Sequence, residues 1–171
     1  HRSLYVETNS LMNPLLQSVQ IALQNAGQKE AIDFINKVVD FCVEHENGKV
    51  FPGWSEELMR LLVGYHMAKD TFIAEQDEEG NITGVGMWYN CDENADWDFI
   101  KNWEPDNKDA NGIFIGFLHA TSTELFKKIT RKFLELCPEA MHKKLIMMRH
   151  RSHVPKRVES NYKLFNKILE I

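Results

Sequence analysis

Apolar positions along this chain change their period repeatedly, and each change marks an element. Asn13-Pro14 is a good N-cap followed by a proline in the first helical turn. Leu15, Leu16, Val19, Ala22 and Leu23 then recur at helical spacing until Gly27. A second helix is predicted from Lys29 to Glu46, with Ile32, Ile35, Val38, Val39 and Cys42 on one stripe and Asn47-Gly48 as its stop. Phe51-Pro52-Gly53 reads as a turn. Ser55 followed by Glu56 and Glu57 opens a third helix that reaches about Met67, its acids placed where the helix dipole favours them.

The period then shortens. Thr71 to Tyr89, TFIAEQDEEGNITGVGMWY, is two apolar runs around a polar turn, and Gly80 accepts positive φ without penalty, so a β-hairpin is predicted. Residues 90–112 are acidic and irregular, with Trp97, Phe99, Ile100 and Trp103 able to form a short amphipathic turn. Gly112–Ala120, GIFIGFLHA, is apolar on both faces, as in a central strand. One of Thr121, Ser122 and Thr123 then caps a strong helix, with Thr121 and Glu124 at capping-box spacing. Leu125, Phe126, Ile129, Phe133, Leu134 and Leu136 form its buried face, and Pro138 lies just past its end. Lys144–Met148 reads as another buried strand, Arg149–Arg157 as a basic loop, and Glu159 to about Leu169 as a last helix. The predicted order is three helices, β-β, a connection, β-α-β, a basic loop and a helix. Its β-α-β part implies two parallel strands with a right-handed crossover.

Composition refines this picture in two ways. At 171 residues, 43% hydrophobic and 26% charged, the chain is an ordinary globular one with room for a real core. No apolar run approaches the roughly 20 residues of a membrane span. The opening HRSLYVETNS has no signal-peptide core, and Met12-Asn13-Pro14 reads as a natural start. Cys42, Cys91 and Cys137 are odd in number and widely spaced, which argues against a disulfide framework and points to a reducing cytoplasm. Cys42 and Cys137 read as core fillers. Charge is uneven: residues 127–171 hold 12 Lys/Arg and 4 Asp/Glu, a net +8, against −13 for residues 1–126. A basic C-terminal third suggests an anionic partner, such as a phosphate-rich cofactor or a nucleic acid; the plain alternative is mutual neutralisation within the fold.

The order of elements resembles the core of the GNAT superfamily of N-acetyltransferases over about residues 55–171. In this likeness AEQDEEGNITGVGMW corresponds to the second and third strands, GIFIGFLHA to the central fourth strand, TSTELFKKITRKFLEL to the cofactor-facing helix and KKLIMMRHR to the fifth strand. KLFNKILEI is similar to the family's Leu-Tyr-x-Lys segment. IFIGFLHA, LFKKITRKF and KKLIMMRHRSHVPKRV also resemble the toxin-activating lysine acyltransferases, a GNAT-like branch. The resemblance implies a mixed α/β sheet with helices on both faces, a GNAT-like domain over 54–171 and an N-terminal leader and helical extension over 1–53. It implies acyl transfer from acetyl-CoA or another acyl-CoA, or a carrier-protein thioester, to an amine on a small molecule or protein.

Within that resemblance, His119 ends the central strand and is the candidate general base. Backbone N–H groups near Phe117 are the candidates to polarise the thioester carbonyl. Ala120, Thr121, Ser122 and Thr123 stand where the family holds the cofactor's pyrophosphate, and Arg149 and Arg151 would add charge-assisted bonds. The family's glycine-bearing loop is missing there and Glu124 is present. The family's thiolate-protonating tyrosine aligns with Phe165, so Tyr162, one helical turn earlier, stands as its substitute. Glu75 and Glu124 are weaker acid/base candidates and read as surface carboxylates. A calcium loop over Asp92, Glu93, Asp96 and Asp98 fails EF-hand spacing. His150 and His153 have zinc-pair spacing without a Cys or carboxylate nearby, so no metal site is assigned. Two other readings stand beside the transferase. One is a GNAT-like binding or assembly protein without catalysis. The other is a nucleic-acid-associated protein using Lys127, Lys128, Arg131 and Lys132 together with the basic loop.

Overall fold

The computed structural model describes residues 17, 21, 28–46, 55–94, 106–149 and 156–170. The helix predicted from Pro14, the Phe51-Pro52-Gly53 turn and the Trp97–Trp103 turn lie outside the described residues, apart from Gln17 and Ile21, both helical. The described elements are α1 (Gln28–Glu46), α2 (Glu56–Ala68), β1 (Phe72–Gln76), β2 (Ile82–Cys91), β3 (Gly112–Ala120), α3 (Thr123–Leu136), β4 (Lys144–Arg149), β5 (Lys156–Ser160) and α4 (Lys163–Leu169). A 3₁₀ turn, Pro138–Met141, follows α3.

Local chemistry accounts for most of the boundaries. Ser55 caps α2 by accepting from the Leu58 N–H at 3.1 Å. Ser122, rather than Thr121, caps α3 by accepting from the Leu125 N–H at 3.2 Å. The β1–β2 turn is held by Asp77, whose Oδ1 accepts from the Glu79 and Asn81 N–H groups, and Gly80 takes φ 85°. The loop expected over Arg149–Arg157 is in part strand: β5 pairs antiparallel with β4 from Leu145↔Ser160 to Arg149↔Lys156. The last helix accordingly starts at Lys163 rather than Glu159. KRVES was misread because it offers one apolar residue, Val158, and no alternation; an edge strand needs little burial.

The five strands form one open mixed sheet in the order β1-β2-β3-β4-β5. All neighbours are antiparallel except the central pair β3–β4, the parallel pair expected from the β-α-β order. Helices cover both faces. On one, α1 and α2 bury Ile35, Val38, Val39, Cys42, Leu62 and Val63 against Val85, Met87, Tyr89, Phe114 and Ile146. On the other, Ile129 and Phe133 of α3 and Phe165 of α4 pack on Ile73, Trp88, Ile113 and Leu145. The α1 stripe is rotated from the expected one: Ala31 is buried and Ile32 is 46% exposed. Leu136 likewise points outward at the end of α3. Gly84 makes the second face possible, because a Cβ there would stand 2.2 Å from Ile129 Cδ1.

The register of β3 decides where a site can form. Met87 pairs with Phe117 and Trp88 with Ile115, so Gly116 is an extra residue, a β-bulge. Among the described residues, β3 and β4 pair only from Gly112↔Lys144 to Ile115↔Met147. Beyond that point β3 runs on to Ala120 beside β2, and β4 runs on to Arg149 beside β5. The central strands part at the bulge.

Candidate active site

His119 stands three residues beyond the bulge, on the α1/α2 face, opposite Val85 of β2. It is half-buried. Its imidazole stacks on the ring of His45 in the last turn of α1, centroids 4.7 Å apart at 25°, and Phe41 lies 5.8 Å away. Burial lowers the His119 pKa below the ordinary imidazole value, and the neighbouring His45 lowers it further. A neutral imidazole at neutral pH can accept a proton, which is what a general base requires. Sequence reasoning singled out His119 and named neither Phe41 nor His45 beside it. Those two stand four apart and share a helix face, but no local signal says that this face meets the end of β3.

The segment Ala120–Thr123 forms the turn into α3. The Thr121 N–H is already donated to the Thr83 carbonyl at 2.9 Å, and the Ser122 hydroxyl is used as the cap. The first-turn N–H groups of Thr123 and Glu124 remain as donors at the positive end of the helix, both at exposed residues. Of the two arginines expected to hold phosphate, Arg149 ends β4 and pairs across to Lys156. Its side chain, Arg151 and the pair His150 and His153 lie outside the described residues, as do Asp96 and Asp98. Among the described residues no group of three His, Cys, Asp or Glu is placed to hold a metal ion.

Tyr162 does not join this site. It precedes α4, 42% exposed, and lines an open groove with Met141, His142, Lys143 and Lys144. Lys144 pairs with Gly112, at the opposite end of β3 from His119. Gly112 and His119 stand seven positions apart along the strand, so Tyr162 and His119 are on the order of 20 Å apart. Phe165, aligned with the family's tyrosine, is 2% exposed and packs on Phe133 at 5.6 Å.

Glu75 is not the surface carboxylate it resembled. It is 6% exposed on β1, and its two oxygens meet Lys128 (3.1 Å) and Lys132 of α3. Burial works to raise its pKa, but the two ammonium groups outweigh burial and hold it below the usual carboxylate value. Lys127 pairs with Glu170 at 3.6 Å. Three of the four cations expected to form a phosphate-tracking stripe on α3 therefore have carboxylate partners in the chain. Lys144 also reaches back to Glu93, and Arg157 to the Glu93 carbonyl at 2.6 Å. Part of the C-terminal positive charge is thus neutralised internally. The cysteines are buried, and burial pushes the thiols of Cys91 and Cys137 up to about 11 and about 12, which removes them as nucleophiles at neutral pH. A cavity beside the bulge, under Trp88, Phe133 and Phe165, measures about 10 Å³, room for one water at most.

No family model and no curated protein matches this chain.

Proposed function

We propose that the chain is an N-acyltransferase that moves an acyl group from a CoA or carrier-protein thioester to an amine, working where β3 and β4 part. The observation that carries this reading is the divergence of the one parallel strand pair at a bulge, with an imidazole just beyond it. A mixed sheet with helices on both faces is compatible with a GNAT-like fold. In the reaction, His119 or a water it activates takes the amine proton. The amine nitrogen attacks the thioester carbonyl carbon, and backbone N–H groups near Phe117 stabilise the oxyanion. The C–S bond then breaks, and the thiolate takes its proton from solvent, since Tyr162 is too far away. The Thr123 and Glu124 N–H groups and the basic residues around Arg149 support the phosphates of the donor.

A second reading, a GNAT-like binding or assembly protein without catalysis, is favoured by the buried Phe165, the absence of a glycine loop before α3, and Glu124 in its first turn. The ion pairs of Lys127, Lys128 and Lys132 weaken the nucleic-acid reading. A thermal-shift series with acetyl-CoA, longer acyl-CoAs and short DNA separates the three. A ligand at a hundred times its Kd stabilises the chain by about 2.7 kcal/mol. A Tm that rises with acyl-CoA supports the transferase. A rise with DNA alone, or with neither, removes it.

A further inference from the structure

The end of α1 belongs to the site. α1 lies before residue 54, outside the span of the GNAT resemblance, yet its last two turns deliver two rings to the end of β3. Phe41 and His45 lie against each other, centroids 4.2 Å apart, and the His45 ring faces that of His119 at 4.7 Å and 25°. We propose that His45 is a positioning residue for His119: its stacked ring fixes the plane of the His119 imidazole and sets a second ionisable group against it. This rests on the reading of His119 as a general base.

The rings around His119 point to His45 as the group able to do this. Around His119 stand Phe41 and His45 from α1, Phe117 from its own strand and Val85 opposite on β2. His45 is the ionisable one of these, and the charge that acts on His119 is that of His45. Two imidazolium rings in face-to-face contact repel, so a proton on one opposes a proton on the other. Both rings are half-buried, which limits the screening of that repulsion by water. The consequence is a base that stays neutral at a pH where a lone exposed histidine would begin to charge, with its ring held against rotation by a flat partner.

NMR titration of the His119 ring tests this without any activity. In His45→Gln, which removes the charge and the ring but keeps polarity, His119 takes up its proton at higher pH than in the wild type. An unchanged His119 titration in folded His45→Gln overturns the proposal. Transfer kinetics at a pH where His119 is neutral test the positioning. His45→Gln lowers kcat on the order of tenfold with KM nearly unchanged, whereas His45→Phe, which keeps the stack, retains the rate. Equal losses in the two variants overturn the positioning role. A wild-type chain that transfers no acyl group overturns the transferase reading instead, and the NMR titration then decides the coupling of His45 to His119 by itself.

Discussion

The α1/α2 face of the sheet carries a histidine near each end, and the two have different fates for one physical reason. Near the amino end of β3, His66 of α2 is 1% exposed. It hydrogen-bonds to Thr71 Oγ1 at 2.8 Å and lies against the ring of Tyr89 at 4.4 Å. At the carboxyl end His119 is half-buried beside His45. Burial is the leading cause of a lowered pKa in both, and at His66 it prevails over hydrogen bonds with Thr71 and Trp88 to bring the value to about 3. The first end is closed by a polar network. Asp106 Oδ1 accepts from the Asn90 backbone and side chain, Lys143 donates to Asn90 Oδ1, and Tyr65 accepts from the Asp106 N–H. The second end is where β3 and β4 separate. Desolvation alone therefore marks no catalyst; a depressed histidine becomes a candidate base only where a substrate can reach it.

The largest expected effect tests the closed end. The unfolded chain protonates His66 near pH 6.5 and the folded chain only near 3, so the unfolded state binds the extra proton in that window. Stability from this group is intact above pH 6.5 and falls as pH drops toward 3, by on the order of 5 kcal/mol at the lower limit. Urea unfolding of the wild type and His66→Gln across that range exposes it as a difference, because the carboxylates contribute to both proteins. Parallel pH profiles would show that His66 is not held neutral by the fold.

Asn90→Ala leaves Lys143 and Asp106 each short of a buried partner. The expected loss is about 3 kcal/mol, read as a lower urea midpoint, with acyl-CoA affinity unchanged because the network is remote from His119. An affinity that fell in step would join the two ends that the structure separates. At the open end, His119→Ala is expected to slow transfer on the order of a hundredfold while Tm stays near the wild-type value; full activity would remove His119 as the base. The smallest change concerns the opposite face beside the same end, where Gly84 pairs with Ala120. Gly84→Ala pushes a methyl into Ile129 and should cost about 2 kcal/mol, measured by chemical denaturation. An unaltered midpoint would mean that the Ile129 side chain turns aside at no cost to admit the added methyl.

Much of the fold was legible along the chain because its cues are local. Ser55 and the Asp77–Gly80 turn act through residues within four positions of themselves, and GIFIGFLHA is apolar enough to place itself at the centre of a sheet. The same locality explains the errors. Lys156–Ser160 carries too little apolar surface to announce a strand, and it becomes one because β4 offers an open edge. Tyr162 was placed on a helix face by its spacing to Phe165, but it is the N-cap of α4, at the groove-lining end of the helix and far from His119. Lys128 and Lys132 looked like part of a phosphate-tracking stripe because Glu75, 53 residues before Lys128, is not visible from α3.

By itself, the order of residues determined most of the elements, the parallel pairing of β3 with β4 and the position of His119 at the end of its strand, since period, caps and turn chemistry act over a few residues. The tertiary structure alone decided which groups meet there. The bulge at Gly116, the parting of β3 from β4 and the stacking of His45 on His119 come from chain segments far apart in sequence. They are brought together by burial of two apolar faces, a force that carries no address in any local pattern.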